Sequence, residues 1–277
     1  MKSIFVSFLF FGFVVLTTTM LGQTPNFRSR SELGVFAGGS YYIGDLNRSD
    51  QFKNTKPAMG LLFRYNKNGR LSYRVAAMYG SVSADDSKVH NTLLHNRNLN
   101  FKSDIYELTG GLEFHYFPFR KGHDKYKATA YLLVELGVFQ MNPIANYNGR
   151  DIELRTIGTE GQGTSLSKRS NYSKTQLVLP LGFGAKFTLS ERAAFNLEFG
   201  IRKTFTDYLD DVHANNYVDA VVLSGENGPL SASLSNRSLD QDPYGYRGNA
   251  KTKDWYVMFG AMLTFRLGPP DRCAHAD

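Results

Sequence analysis

The chain has 277 residues, 42% of them hydrophobic and 14% aromatic, with a formal net charge of +7. A mean hydropathy of −0.32 excludes a bundle of membrane helices, each of which needs about 20 consecutive apolar residues, and the even spread of glycine and aromatic residues points to one domain. The one cysteine, Cys273, excludes an internal disulfide and multi-thiolate metal sites, and the positive charge suits anionic lipid or an acidic partner.

Residues 1–22 read as a signal peptide. Lys2 is followed by an apolar run from Ile4 to Leu16 and a small, polar stretch ending at Gly22, with no stop-transfer pattern behind it. The mature chain is expected to start near Gln23, outside the cytoplasm, which sets nucleic acid aside as a partner. Residues 23–267 then alternate bulky apolar with small or polar positions, in segments of the length that a tilted membrane strand needs, about 9–11 residues.

The segments, in chain order, are Glu32 to Tyr42, Pro57 to Asn66, Arg70 to Ser81, Phe101 to Phe117, Ala128 to Met141, Gln176 to Leu189, Ala194 to Phe205 and Asp254 to Leu267. In the second, Met59, Leu61, Phe63 and Tyr65 oppose Gly60, Arg64 and Asn66. In the fourth, Tyr106, Leu108, Leu112 and Tyr116 oppose Glu107, Thr109, Glu113 and His115. Pro180 is expected to weaken the ladder of the sixth. The linkers 67–69, 118–127 and 190–193 are short, whereas 43–56, 82–100, 142–175 and 206–253 are long, and the two kinds alternate. That asymmetry separates a membrane barrel from a soluble sandwich. Tyr41, Tyr42, Tyr65, Tyr79, Tyr116, Phe117, Phe205 and Trp255 fall near strand ends, where interfacial girdles sit. The fold expected is all-β: a transmembrane antiparallel β-barrel of about eight strands, with short periplasmic turns and long external loops, in the outer membrane.

An eight-strand barrel has an interior filled by side chains. The inward set, Arg64, Arg74, Glu107, Glu113, His115, Glu135, Lys186, Glu198, Arg202 and Arg266, is close enough to balance for the charges to pair with one another. A lipid-acting enzyme would use His115 with Ser103 or Ser81, although no spacing fixes a nucleophile beside a base. The segment 158–163 lacks the ending of a phosphate loop and reads as a turn-rich part of an external loop. Asp207, Asp210, Asp211, Asp240 and Asp242, with the basic Arg247, Lys251 and Lys253, read as solvated loop charge, because the calcium-loop spacing is missing. No enzymatic, cofactor or metal residues are assigned.

Residues 268–277 read as a periplasmic tail, stopped from continuing the strand by Pro269 and Pro270. Cys273 in an oxidising compartment is open to an intermolecular disulfide or to a free reactive thiol. The positive turn and tail, Arg120, Lys121, Lys125, Lys127, Arg272 and Cys273, are the candidates for docking a periplasmic partner. A rival reading is a surface barrel that binds ligands through its external loops.

Four stretches, SYYIGDLN at 40–47, GTEGQG at 158–163, FTDYLDDV at 205–212 and DWYVMFGAMLTFRL at 254–267 followed by Cys273, together resemble the PorG-like outer-membrane barrels of the type IX secretion system. The resemblance runs over nearly the whole mature chain. It implies a non-catalytic accessory of protein secretion that ties a periplasmic ring, built of a PorK-like lipoprotein and a PorN-like protein, to the outer membrane. It carries over no catalytic residues.

Overall fold

The computed structural model describes residues 30–48, 50–122, 125–167, 169–240 and 245–268. The expected signal peptide and the tail candidates Arg272 and Cys273 lie outside the described residues. Nine strands form one antiparallel sheet: β1 (Arg30–Ile43), β2 (Lys56–Asn66), β3 (Leu71–Asp85), β4 (Asn100–His115), β5 (Ala128–Tyr147), β6 (Arg150–Glu153), β7 (Thr175–Thr188), β8 (Ala193–Thr204) and β9 (Trp255–Arg266). Eight of them close into a barrel. Each pairs with the next, β5 with β7, and β9 returns to pair with β1. The short β6 only extends β5 as a hairpin beyond the barrel wall.

The registers fix the stagger. Stepping across pairs from Ser31 through Tyr65, Tyr73, Leu112, Val134, Leu181, Ile201 and Val257 returns to β1 at Tyr41, ten residues further along. Eight strands with that shear tilt by about 40° and leave an interior that side chains can fill. All eight expected strands are present, and β3 and β5 run several residues further at the end that carries the long connections. The β5–β7 ladder skips Pro180, pairing Val134 with Leu181 and then Gly137 with Val178, as a residue without an N–H requires.

Alternation decides the two faces. Leu33, Val35, Leu61, Phe63, Val75, Leu108, Val134, Leu136, Leu181, Phe183, Leu197 and Leu263 are exposed on the outside, while the inward positions are buried and carry the charged and polar side chains Arg64, Arg74, Glu107, Thr109, Glu113, Glu135 and Glu198 among apolar ones such as Phe36, Leu62 and Met262. An apolar exterior around a polar interior inverts the arrangement of a soluble barrel and matches a membrane-spanning one. Aromatic side chains bound the band: Tyr65, Tyr73, Tyr116, Phe187 and Phe265 at the turn end, and Tyr79, Tyr106, Phe205 and Trp255 at the loop end. Tyr106 on β4 and Tyr116 just past its end lie ten residues apart, which after tilting gives a band about 25 Å tall. Tyr42 departs from the expectation of a girdle residue, because it points inward and packs edge-on against Phe101 at 4.8 Å. Among the described residues no helix is long and apolar enough to cross a membrane.

The long connections are folded. They contain α1 (Thr92–Arg97), the one-turn α2 (Leu154–Ile157), α3 (Ala220–Asn227) and α4 (Pro229–Ser235). Asn91 and Asp219 cap α1 and α3 by accepting two backbone N–H bonds each, the usual satisfaction of a first turn. Leu46, Leu99, Leu154, Leu209, Val212 and Leu234 join the core cluster above the strands. The result is a packed cap over the loop end of the barrel.

Candidate functional site

Inside the barrel the charges form three tiers. At the turn end, Glu113 binds Arg64 at 2.7 Å, Lys186 at 2.5 Å and His115 at 2.6 Å, and Glu32 binds Arg64 at 3.1 Å. In the middle, Arg74 bridges Glu198 at 2.5 Å and Glu135 at 3.1 Å, while Tyr131 donates to Glu198 at 2.9 Å. At the loop end, Glu107 accepts from Tyr256 at 2.6 Å and faces Arg202 at 3.6 Å. Arg64, Arg74, Arg202, Tyr131 and Lys186 rank among the largest fully buried side chains, and together they fill the lumen. Charged side chains this deep persist only when paired. The expected inward residues lie inside, joined by Glu32 and by Lys121 from the turn, and nine of the ten expected ones, Arg266 aside, meet one another in these pairs.

The His115 hypothesis fails on geometry. Ser103 lies twelve residues along the same strand, about 40 Å away at the strand rise, and Ser81 pairs opposite its neighbour Asp104. The His115 ring is instead held between Glu113, Lys186 at 3.0 Å and the Gly69 carbonyl at 3.1 Å.

The turn between β4 and β5 holds four of the docking candidates. Lys121 does not serve there as a surface cation. Its ammonium enters the barrel, 3.2 Å from Glu32 and donating to the Thr264 carbonyl at 3.0 Å, because Glu32 needs a second cation and the turn is long enough to reach it. Arg120 is half-buried, and Lys125 and Lys127 are exposed on the same turn.

Above the strands, the four motif stretches, far apart in sequence, meet in one buried network. Tyr42 donates to Asp210 at 2.5 Å and to Asp254 at 2.9 Å. Asp211 accepts from Thr159 at 2.5 Å and from Tyr172 at 2.6 Å. Arg247 joins Glu160 at 2.5 Å, the Ser235 carbonyl at 3.2 Å and the Asp211 carbonyl at 3.4 Å, and its own carbonyl accepts from Arg97 at 2.7 Å. Arg97 also pairs with Asp86 at 2.7 Å and reaches the Asp45 carbonyl at 3.0 Å. Glu160 accepts the His213 and Ala214 backbone N–H groups at 2.8 Å each.

This corrects the reading of Asp207, Asp210, Asp211 and Arg247 as solvated charge, since each is only 1–2% exposed. Burial pushes the Asp211 carboxyl up to about 6 despite Arg247 and the bonds from Thr159 and Tyr172. Burial likewise raises Asp207 to about 6 against its contact with His213, and raises Asp210 and Asp254 well above the usual carboxylate range, each further lifted by a neighbouring carboxylate. Gly158, Gly161 and Gly163 take positive φ, as a turn-rich loop demands. Among the described residues no group of three or more His, Cys, Asp or Glu side chains is placed to hold a metal ion.

The sequence reading missed the cap. Asn148-Gly149, both at positive φ, is the strongest short-range hairpin signal and marks β5–β6. Asn91 and Asp219 were visible helix caps. Nothing local revealed that Glu160, Asp211 and Arg247 meet.

A closed eight-strand antiparallel barrel with an apolar exterior, an ion-paired interior and a folded cap defines the class: a transmembrane barrel whose lumen is filled. The chain belongs to the family described as "Domain of unknown function (DUF6089)", which matches residues 8–226 and so ends before β9. No curated protein matches it in sequence. Among solved structures it is similar to neisserial surface protein A, with TM-score 0.42 and 8% identity over 86% of this chain and 99% of that one. It is similar also to Ail, the attachment invasion locus protein of Yersinia pestis, with TM-score 0.41 and 10% identity over 87% and 100%. The outer membrane protein OprG from Pseudomonas aeruginosa gives TM-score 0.38 and 11% identity over 86% and 97%.

Proposed function

We propose that the chain is a non-enzymatic outer-membrane barrel of the type IX protein secretion machinery that anchors a periplasmic ring, of PorK-like lipoprotein and PorN-like protein, to the membrane. The observation that carries the non-enzymatic, non-conducting part is the filled lumen, in which the interior carboxylates and cations bind one another. A barrel with neither a conduit nor a reacting group is left with its two ends as working surfaces. The short turns face the periplasm and the cap faces outward, in keeping with the asymmetry of connection lengths. The secretion role rests on the resemblance of the four motif stretches, which lie at the loop end of the first strand, in the cap and in the last strand.

Docking of the ring falls to the turn cations Arg120, Lys125 and Lys127 and to Arg272 and Cys273. The test isolates the tagged protein from native outer membranes and compares reducing with non-reducing gels for wild type and Cys273→Ser. Mass spectrometry then identifies any companion. A thiol-sensitive band containing a ring lipoprotein is the expected result. A lone barrel in both states, together with unchanged secretion when Arg120, Lys125 and Lys127 are replaced by Ser, would sink the anchoring role.

One observation favours a second reading, binding at the external face. Leu239 donates its backbone N–H to the Asn96 carbonyl at 3.0 Å, which sets it beside α1. There Leu239 is 59% exposed and Leu93 is 52% exposed, an apolar pair on the cap surface. Loss of surface binding in the double serine variant, with the barrel intact, would favour that reading over the anchor.

A further inference from the structure

The β1–β2 connection behaves unlike the other three long loops. Instead of joining the cap alone, residues 50–55 turn back over the outside of the barrel. Tyr41 faces outward by its position on β1, and Val257 faces outward beside it on β9, yet both are completely buried. Phe52 lies against Tyr41 with ring centroids 5.2 Å apart, and edge-on to the outward Phe259 at 5.1 Å. The Tyr41 hydroxyl donates to Gln51 at 2.7 Å. Thr55 fills the space over Gly39, where a built Cβ would come within 2.6 Å of its methyl group.

The segment is held in this pose. Asn47 donates to the Tyr42 carbonyl at 2.8 Å and to the Asp50 carbonyl at 3.0 Å, and accepts from the Asp50 N–H at 3.1 Å. Phe52 and Asn54 have φ of 60° and 54°. A left-handed conformation is common for Asn but costs a bulky residue such as Phe about 1–3 kcal/mol. Phe52 remains 54% exposed, beside the seam where Gly39 of β1 pairs with Phe259 of β9.

We propose that residues 50–55 form a clasp over the β1–β9 seam which lodges the Phe52 ring among the acyl chains of the outer leaflet. Three features identify the bilayer as the occupant. Phe259 and Tyr41 continue the outward apolar band at the height of Tyr79, Tyr106 and Trp255. Phe52 packs on the outward Tyr41 and Phe259 and still leaves 54% of its surface exposed. Lys53, paired with Asp50 at 2.7 Å, and Lys56 follow one and four residues after the ring, cations suited to the level where anionic headgroups begin. Of the seam glycines, Gly39 faces outward and is covered by Thr55, and the Phe52 ring lies beside it on Tyr41 and Phe259.

The test uses the single tryptophan. Phe52→Trp is made in a Trp255→Phe background and reconstituted in phosphatidylcholine bilayers containing acyl-brominated lipid, with Leu61→Trp, on the lipid-facing wall, as the control in the same background. The clasp predicts that the Phe52→Trp protein, like the Leu61→Trp control, loses most of its emission to bromine and little to aqueous iodide. Quenching of the Phe52→Trp protein by iodide, or its insensitivity to both quenchers, while the control responds to bromine, overturns the clasp. A control that does not respond to bromine overturns the transmembrane reading on which the clasp rests. If Phe52→Trp does not fold, Phe52→Cys in a Cys273→Ser background is measured instead. In bilayers it should react with a water-soluble maleimide far more slowly than Val221→Cys on the cap, and equal rates refute the clasp.

Discussion

Replacing Glu113 by Gln is the sharpest test of a barrel held by internal charge pairs. Its two oxygens serve Lys186 at 2.5 Å, His115 at 2.6 Å and Arg64 at 2.7 Å, with Arg74 at 3.9 Å. After the change Arg64 keeps Glu32 at 3.1 Å, and Arg74 keeps Glu198 at 2.5 Å and Glu135 at 3.1 Å. Lys186 alone loses its carboxylate, keeping only the His115 ring and the faces of Phe119 and Tyr131 at 5.3 and 5.4 Å. One uncompensated buried ammonium costs about 3–5 kcal/mol. Adding Lys186→Met removes that ammonium and returns a shape of similar volume, so the double variant is expected within about 1 kcal/mol of wild type. Urea unfolding in vesicles, followed by Trp255 emission and by the mobility shift of the folded barrel on gels, measures both. A loss below about 1 kcal/mol in Glu113→Gln, or a double variant no more stable than the single, would refute the reasoning.

Three other outcomes follow from the cap and the turn. The folded Asp211 carboxyl holds its proton up to about 6, against 3.8 as the ordinary value, so its contribution to cap stability is full below pH ~4. It falls as pH rises through 6, by on the order of 3 kcal/mol. Hydrogen exchange at 205–214 should show protection declining over that window, and a flatter profile in Asp211→Asn. Arg247→Met leaves Glu160 without its cation and should open the cap locally, by about 3–5 kcal/mol. Trypsin would then cut at Lys251 and Lys253 while the barrel keeps its gel mobility; cleavage no faster than in wild type would show that Arg247 does not hold the cap together. Lys121→Met leaves Glu32 with Arg64 and Asn66 and should cost about 1–3 kcal/mol in urea unfolding, whereas a neutral result would place that ammonium in solvent.

The strands were legible because a period of two is a local signal, and burial on one face writes it directly into sequence. Glu107, Glu113 and Glu198 could be assigned inward simply by counting from Leu108, Leu112 and Leu197. Tyr42 defeated that logic. It stands at a strand end, where aromatic girdles are expected, but Phe101 and the Asp210–Asp254 pair offered its hydroxyl and ring better partners inside. The cap was illegible for a related reason. Aspartates in a long polar loop look solvated until Arg247, Thr159 and Tyr172 arrive from elsewhere in the chain, and no pattern within 205–212 announces them. Lys121 was misplaced likewise, since its partner Glu32 stands far back in the sequence, on the first strand. The transmembrane architecture was thus readable from short windows, and the contacts that set the two ends were not.

Lys121 also has a bearing on how the cylinder is assembled. It comes from the middle of the chain, yet it touches Glu32 on the first strand and the Thr264 carbonyl on the last. Those two groups become neighbours only after β1 and β9 have met. The residue therefore works as a latch that engages at closure and not before, so that an unzipped sheet leaves a lysine without its socket and a completed ring locks itself from within.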